Sequence, residues 1–427
     1  MRVFQGVRVI DFTGELGPYA GRLYAGLGAD VIHLEPIRGD PLRGRAPFFE
    51  NIPGLERSLP FLYYNAGKRG LALDLGKERG REIFLALCSG ADLLLESTAP
   101  GYLDSIGLGY ARLRRLNPRL VHTAITPFGS WGPYKDRPGS DLVCSALSGF
   151  LFLAGVDDIE PVRACDDQSF RMAEVYAAVG SAAALFHARK TGLGQFVDVS
   201  CMEAAAMALE NAPQAYDLEG TIRRGRGLEA GNGTIHPCKD GYIALVAVMG
   251  RSKPMWEAFL EWMKSEGVQG FELLDDERWL DADYRSSRHG RELFSRIFES
   301  YCRAHDKMYL YRKGQSFRVA VTPVCNGKDL LENPQLAYRG FWRTVWHESL
   351  NSAITFPGPP LRFGRLSWQV ERPAPTLGQH TAEILQELGL SSEEVARLAA
   401  EGVIHVGTAA PGADTEKRRD LTRGGGP

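Results

Sequence analysis

The stretch "VRVIDFTGELGPYAGRLYAGLGADVIHLEP", residues Val7–Pro36, decides the fold. "VRVIDF" is a short apolar run of strand character. "TGELGPYAGRLYAGLGA" is a Gly/Pro turn that opens a helix, and "DVIHLEP" is a second strand. Strand, helix and strand in that order make a βαβ unit, in which the helix carries the chain back so that the two strands run parallel.

The pattern recurs. "RGLALDL" and "DLLLES" read as strands around the helical "KERGREIFLALCSGA"; "YARLRRLNPRL" is amphipathic, and "VHTAITPFG" is a further strand. Repeated βα units predict an α/β fold: a doubly wound, Rossmann-like large domain built on a parallel sheet. Ligands of such sheets sit beyond the carboxyl ends of the strands. Those ends carry Thr13–Tyr19, Glu35–Asp40, Glu96–Gly101 and Thr126–Tyr134.

"QSFRMAEVYAAVGSAAALFHARKTG" predicts a long helix with small residues on its surface, and "GQFVDVS" a strand after it. The texture then changes. A glycine-spaced loop, "RRGRGLEAGNG", runs into a "CKDG" turn and a Trp-containing helical segment, which predicts a small α+β domain. The expected organisation is a large domain over 1–200, a linker over 201–224, the small domain over 225–325, a return to the large domain over 326–407, and a disordered polar tail over 408–427. "SSEE" places Ser391 as the cap of a late helix.

With 427 residues the chain is too long for one ordinary core. A formal net charge of -2, with mixed signs, supplies no basic field to recruit nucleic acid or an anionic membrane. Cys88, Cys144, Cys165, Cys201, Cys238, Cys302 and Cys325 are odd in number and form no C-x-x-C pair, which fits a reduced compartment. No apolar run approaches the roughly 18 residues of a membrane span. The expectation is a cytoplasmic protein with no membrane or nucleic-acid partner. The histidines and cysteines show no ligand spacing, so no metal is expected. There is no Walker A, no G-x-S-x-G and no H-E-x-x-H.

Arg38, Arg43 and Arg45 follow the second strand. They read either as a bidentate clamp for phosphate or as solvated surface arginines. In "CDDQSFRMAE", Asp166, Asp167 and Glu174 are the acids of interest. Asp166 and Asp167 stand where helix-start charges are stabilising. Glu174 reads as an exposed or paired helix acid, or as a reactive one.

The ordered blocks of residues 4–405 resemble family III CoA-transferases of the CaiB/BaiF type. The resemblance rests on the opening stretch, "NAGKRGLALDL", "GYLDSIGLGYARLRRLNPRLV", "TPFGSWGPYKDRPGSDLVCSALSGF", "ARKTGLGQFVDVSCMEA", "CKDGYIAL", "TPVCNGKDLLENPQL" and "LGQHTAEILQELGLS". It implies a large domain made from both ends of the chain, a small inserted domain, and two subunits threaded as interlocked rings. It implies CoA and acyl-CoA as substrates, with no permanently bound cofactor. An aspartate attacks the acyl-CoA thioester to give an anhydride, and CoA thiolate then attacks that aspartate. Carried over onto matching positions, the CoA contacts are Leu16, Gly17, Arg38, Lys68, Leu71, Ser97, Tyr134 and Lys135. A glycine loop matching Gly231, Asn232 and Gly233 lies over the reacting centre, where backbone N–H groups stabilise oxyanions.

Two departures matter. The family's "E-N-F-R-P-G" block is "ESTAPG" here, with Ser97, Thr98 and Ala99 in place of the amide, the aromatic and the cation. Counting back from "YAAVGSAAAL", the catalytic aspartate falls on Phe170, with Glu174 one helical turn later. A racemase of the same superfamily needs a His where Ser140 stands. The leading expectation is the non-nucleophilic subunit of a heteromeric CoA-transferase, as in two-subunit enzymes acting on benzylsuccinate in anaerobic aromatic degradation. It pairs, as heterodimer or heterotetramer, with a homologous chain bearing the aspartate. The alternatives are a self-sufficient transferase, for instance a homodimer, that uses Glu174 or Asp167, and a non-catalytic acyl-CoA-binding partner.

Overall fold

The computed structural model describes residues 2–154, 160–222, 230–247, 253–366, 368–369 and 372–407. The tail expected to be disordered, 408–427, lies outside the described residues, as does 223–229 of the glycine-spaced loop.

The strands are β1 (Arg8–Phe12), β2 (Asp30–Glu35), β3 (Arg69–Leu73), β4 (Leu93–Glu96), β5 (Val121–Thr126), β6 (Phe196–Ser200), β7 (Asn232–Cys238), β8 (Gly241–Val246), β9 (Ala320–Val324), β10 (Trp342–His347), β11 (Ser352–Pro357) and β12 (Ile404–His405). The main sheet has seven strands in the order β12-β3-β2-β1-β4-β5-β6. β1 to β6 are parallel; β12 joins β3 antiparallel. The order 3-2-1-4-5-6 reverses direction between β1 and β4, so a ligand crevice belongs at their carboxyl ends.

The strands read as apolar runs because both faces are buried. Val9 and Ile10 are both fully enclosed, yet they enter different cores. Val9, Val31, Leu93, Val121 and Ile125 pack beneath the long helix Gln168–Thr191 with its Ala173, Ala177 and Ala184. Ile10, Ile32, Leu71 and Leu94 face the other way, with Phe84 and Leu385. Full burial of one such side chain stabilises by about 1.5–3 kcal/mol.

The chain divides into two compact units. The first draws its described residues from Met1–Leu151, Arg163–Pro213 and Pro334–Pro427, and the second from Phe152–Val162 and Gln214–Asn333. The first holds the main sheet, the β10–β11 hairpin and a C-terminal helix pair. Ser391 does cap the last helix, reciprocally with Glu394, as its sequence predicts. The second unit holds the antiparallel β7-β8-β9 sheet and an aromatic core of Trp256, Phe259, Trp262, Trp279, Phe294 and Phe298. No helix among the described residues is long and apolar enough to cross a membrane.

Candidate active site

β1 ends in a buried acid. Asp11 accepts from Lys68 Nζ at 2.6 Å and from Thr13 Oγ1 at 2.6 Å. Lys68 Nζ also donates to the Pro18 carbonyl and to Asn65 Oδ1, both at 2.8 Å. The ammonium has three donors, and all three are taken. Burial lowers its pKa, with the Asp11 charge opposing. Position 21 must be glycine, because a Cβ there would lie 2.2 Å from Asp11 Oδ2.

The turn after β1 leads to Gly17, with φ of 108°, at the start of helix Pro18–Gly26. Its N–H donates to Glu174 Oε1 at 2.6 Å. Glu174 thus puts the chain's own carboxylate at a helix N-terminus, where the dipole favours negative charge. Arg171 Nη1 lies 2.6 Å from Glu174 Oε2 as an ion pair, though without hydrogen-bond alignment. The same guanidinium stacks on Tyr64 at 4.3 Å. Glu174 has no exposed surface. Burial pushes its carboxyl up to about 7, against the opposing Arg171 charge and Gly17 N–H.

Phe170 sits one turn earlier on the same helix face and is 7% exposed. Two cavities meet at its ring. One, of about 390 Å³, lies at the β1/β4 crevice and is lined by Thr13, Leu16, Leu34, Ser97, Thr98 and Phe170, among others. The other, of about 680 Å³, is lined by Glu15, Arg45, Ser140, Asp141, Arg163, Asp167 and Phe170, among others. Where they meet, the shared wall is Glu15, Pro41, Gly139 and Phe170, and at position 170 it offers a benzyl ring with no nucleophilic atom.

Asp167 precedes the long helix and pairs with Arg45 and with Arg163, the latter at 3.6 Å. It does not cap the helix through its side chain. Asp141 takes that task instead, accepting from Ser169 N at 2.8 Å and Ser169 Oγ at 2.7 Å. Asp166 is exposed, with φ of 55°.

The arginines after β2 split. Arg43 is fully buried. Its Nε and Nη2 grip Glu35 at 2.7 and 2.8 Å, and its Nη1 reaches Glu56 at 2.7 Å. Burial lowers its pKa, but the two carboxylates more than offset this, so the net shift is upward. This corrects the solvated-surface and phosphate-clamp readings alike: Arg43 is an internal strut. Arg45 is held by Asp167. Arg38 is exposed and has no ion pair among the described residues.

Leu16 and Ser97 therefore come together with Phe170 at the crevice, and Gly14 N donates to Ser97 Oγ at 3.1 Å. Gly17 is not in that lining and turns its N–H to Glu174 instead. Leu71 is enclosed in β3, and Lys68 is saturated internally. Tyr134 and Lys135 lie on an exposed loop apart from that crevice; Lys135 binds Asp136 at 2.7 Å, and Arg137 covers the Tyr134 ring at 4.3 Å. Gly231 and Gly233 belong to the second unit, with φ of 74° and 69°; Asn232 opens β7 between them. Sequence reasoning missed Arg171, Asp141 and the Asp11–Lys68 pair. The "SD" before a helical run was a signal for Asp141, and the i,i+3 spacing of Arg171 and Glu174 was one for that pair. Asp11 and Lys68, 57 positions apart, have no local one. Among the described residues no group of three or more metal-ligating side chains clusters.

Three comparisons bear on this geometry. CoA-transferase family III matches the chain over residues 4–381. The protein named succinyl-CoA:(R)-benzylsuccinate CoA-transferase subunit BbsE, from Thauera aromatica, is 60% identical over 402 residues, covering 94% of this chain and 98% of that protein. Formyl-CoA:oxalate CoA-transferase from Streptomyces avermitilis is 29% identical over 425 residues, covering 94% of this chain and 100% of its own. Among solved structures, a CAIB/BAIF family protein from Brucella suis superposes with a TM-score of 0.81 at 27% identity, covering 91% of this chain and 99% of that one. A fold of order 3-2-1-4-5-6, a crevice at its switch point and matches along nearly the whole length place the chain in CoA-transferase family III.

Proposed function

We propose that this chain is the non-nucleophilic subunit of a two-chain CoA-transferase. The enzyme moves CoA from a succinyl-CoA-type donor to a carboxylic acid of the benzylsuccinate kind. The observation that carries the reading is Phe170: a benzyl ring stands in the shared wall of two cavities, at the helix position where the chemistry needs an oxygen nucleophile. The likeness to a protein named as a subunit of such an enzyme supports it.

The reaction needs a carboxylate that attacks the thioester carbonyl, forming an acyl–oxygen bond and breaking carbon–sulfur. The released thiolate then attacks the carboxyl of that residue, giving an enzyme–CoA thioester and freeing the first acid. The acceptor acid reverses both steps. Neither of the two candidate acids, Glu174 and Asp167, suits that role. Glu174 has no exposed surface, and its carboxyl is committed to Gly17 N–H. Asp167 is held between two arginines, which lowers its nucleophilicity. In this reading the aspartate comes from a homologous chain interlocked with this one. This chain contributes scaffold, the crevice turn Thr13–Gly17 and exclusion of water.

The test uses the purified chain alone and then reconstituted with a homologous chain bearing Asp at the position of Phe170. Both are incubated with succinyl-CoA, and adducts are mapped by hydroxylamine cleavage and mass spectrometry. The expected result is turnover only in the mixture, with the thioester on the other chain. Turnover by this chain alone, or an adduct on Glu174 or Asp167, overturns the reading.

A further inference from the structure

A third cavity, of about 530 Å³, lies on the sheet face opposite the long helix. Residues alternate along β5. Val121 and Ile125 enter the core beneath that helix, and Thr123 bonds Ser181 on it at 2.7 Å. His122, Ala124 and Thr126 turn the other way and line the cavity. It shares Thr98 with the crevice cavity and no residue with the other cavity at Phe170. Its size is that of a small-molecule site.

The lining combines a carboxylate floor with aromatic walls. Glu96 Oε1 meets His122 Nε2 at 2.8 Å, and Thr98 Oγ1 donates to Glu96 Oε2 at 2.6 Å. No lysine or arginine pairs with Glu96 among the described residues. Tyr110 and Trp131 stand against Phe196, with centroids at 5.4 and 6.2 Å. Trp131 is 65% exposed, so the aromatic wall faces solvent. Asp104 adds a second acid, and the one cation in the lining, Lys135, is already bound to both oxygens of Asp136 at 2.7 and 2.8 Å. Two buried polar atoms of the same lining residues, His122 Nδ1 and Thr126 Oγ1, have no protein partner.

Aromatic faces attract cations, and a partly desolvated carboxylate strengthens charge-assisted N–H bonds. An anion placed here would meet Glu96 and Asp104. We propose that this cavity is a second ligand site, separate from the thioester crevice, for a small organic cation: an ammonium or amidinium carried on a flat apolar body.

Titration calorimetry on the full chain with benzylammonium, benzyl alcohol and benzoate tests it. Benzylammonium is expected to bind at least about tenfold more tightly than the neutral alcohol, with benzoate weaker still. Trp131→Ala and Glu96→Gln are each expected to weaken benzylammonium at least about tenfold. Trp131 is a surface residue, so that arm decides the matter even where Glu96→Gln does not fold. Saturating CoA is expected to leave the affinity unchanged. No saturation by benzylammonium, binding of benzoate as tight as that of the amine, wild-type affinity in Trp131→Ala, or displacement by CoA each overturns the proposal.

Discussion

Two neighbouring strand ends bury a carboxylate each and treat it oppositely. Glu35, at the end of β2, is gripped by Arg43 through two aligned bonds and accepts a third from Asp40 N at 2.9 Å. Glu174 reaches the turn after β1 from the long helix. It has one aligned bond, from Gly17, and a guanidinium that lies close without pointing its hydrogens at it. The depth is the same; the satisfaction is not. Burial alone does not decide the state of an acid; the geometry of its partners does. At β2 the outcome is a permanent ion pair. At β1 it is an acid poised near neutrality.

The largest effect should come from breaking the better-made site. Arg43→Ala leaves Glu35 uncompensated and Glu56 without its partner, and should cost about 3–5 kcal/mol in urea unfolding. Arg43→Lys should recover only part of this, because a point charge cannot reproduce the bidentate fork. A loss under 1 kcal/mol in Arg43→Ala, well short of that range, would mean the pair is not the strut it looks.

The weaker site should show itself in pH dependence. Glu174 has its folded pKa raised to about 7 from 4.5. Between those values the folded state holds a proton that the unfolded state has released, so this group's stabilising contribution is complete below about 4.5 and declines until pH passes about 7. The shift corresponds to at most roughly 3 kcal/mol. Glu174→Gln should abolish that slope. Unfolding free energies at pH 5 and pH 8 should therefore differ more in the wild type than in the variant, with the wild type losing ground at pH 8. Equal differences would refute the poised-acid description.

A histidine beside β3 supplies the opposite sign. His380 accepts from Gly70 N at 3.1 Å through Nδ1, which only the unprotonated ring atom can do. Burial lowers its pKa to about 4. Its contribution is present above about 6.5 and is lost as pH falls toward 4. The ring is partly exposed, so the effect should be smaller than that of Glu174. His380→Gln should flatten the acid side of the stability profile; an unchanged acid limb would show that His380 does not titrate as described.

These pairings also mark where sequence stops being informative. The βα alternation is local: each strand is a contiguous apolar run, and each turn carries its own Gly or Pro. The position of Phe170 was readable because helix phase is also local, so counting back from "YAAVGSAAAL" works. Which cations are free was not readable. Lys68 meets Asp11 across 57 positions, and Arg69 ties Asp30 to Glu383 and Glu387 across more than three hundred. A short basic run looks the same whether it faces phosphate or an internal acid. β12 was invisible for a different reason: two residues, Ile404 and His405, carry no periodicity, and only closure beside β3 makes them a strand.

The smallest expected effect is the sharpest comparison, because it sits two residues from the largest. Arg45 follows Arg43 in the same loop but points to the rim, where its side chain is 33% exposed and pairs with Asp167. Water screens such a pair, and ordering two side chains offsets much of the attraction. Arg45→Ala should therefore cost under about 1 kcal/mol, and the deficit should shrink further in 1 M salt, where the Debye length falls to about 3 Å. The Arg43→Ala loss, shielded from ions by burial, should persist in the same salt. If both losses fade together, the Arg43 site is open to solvent and the contrast between the two strand ends disappears.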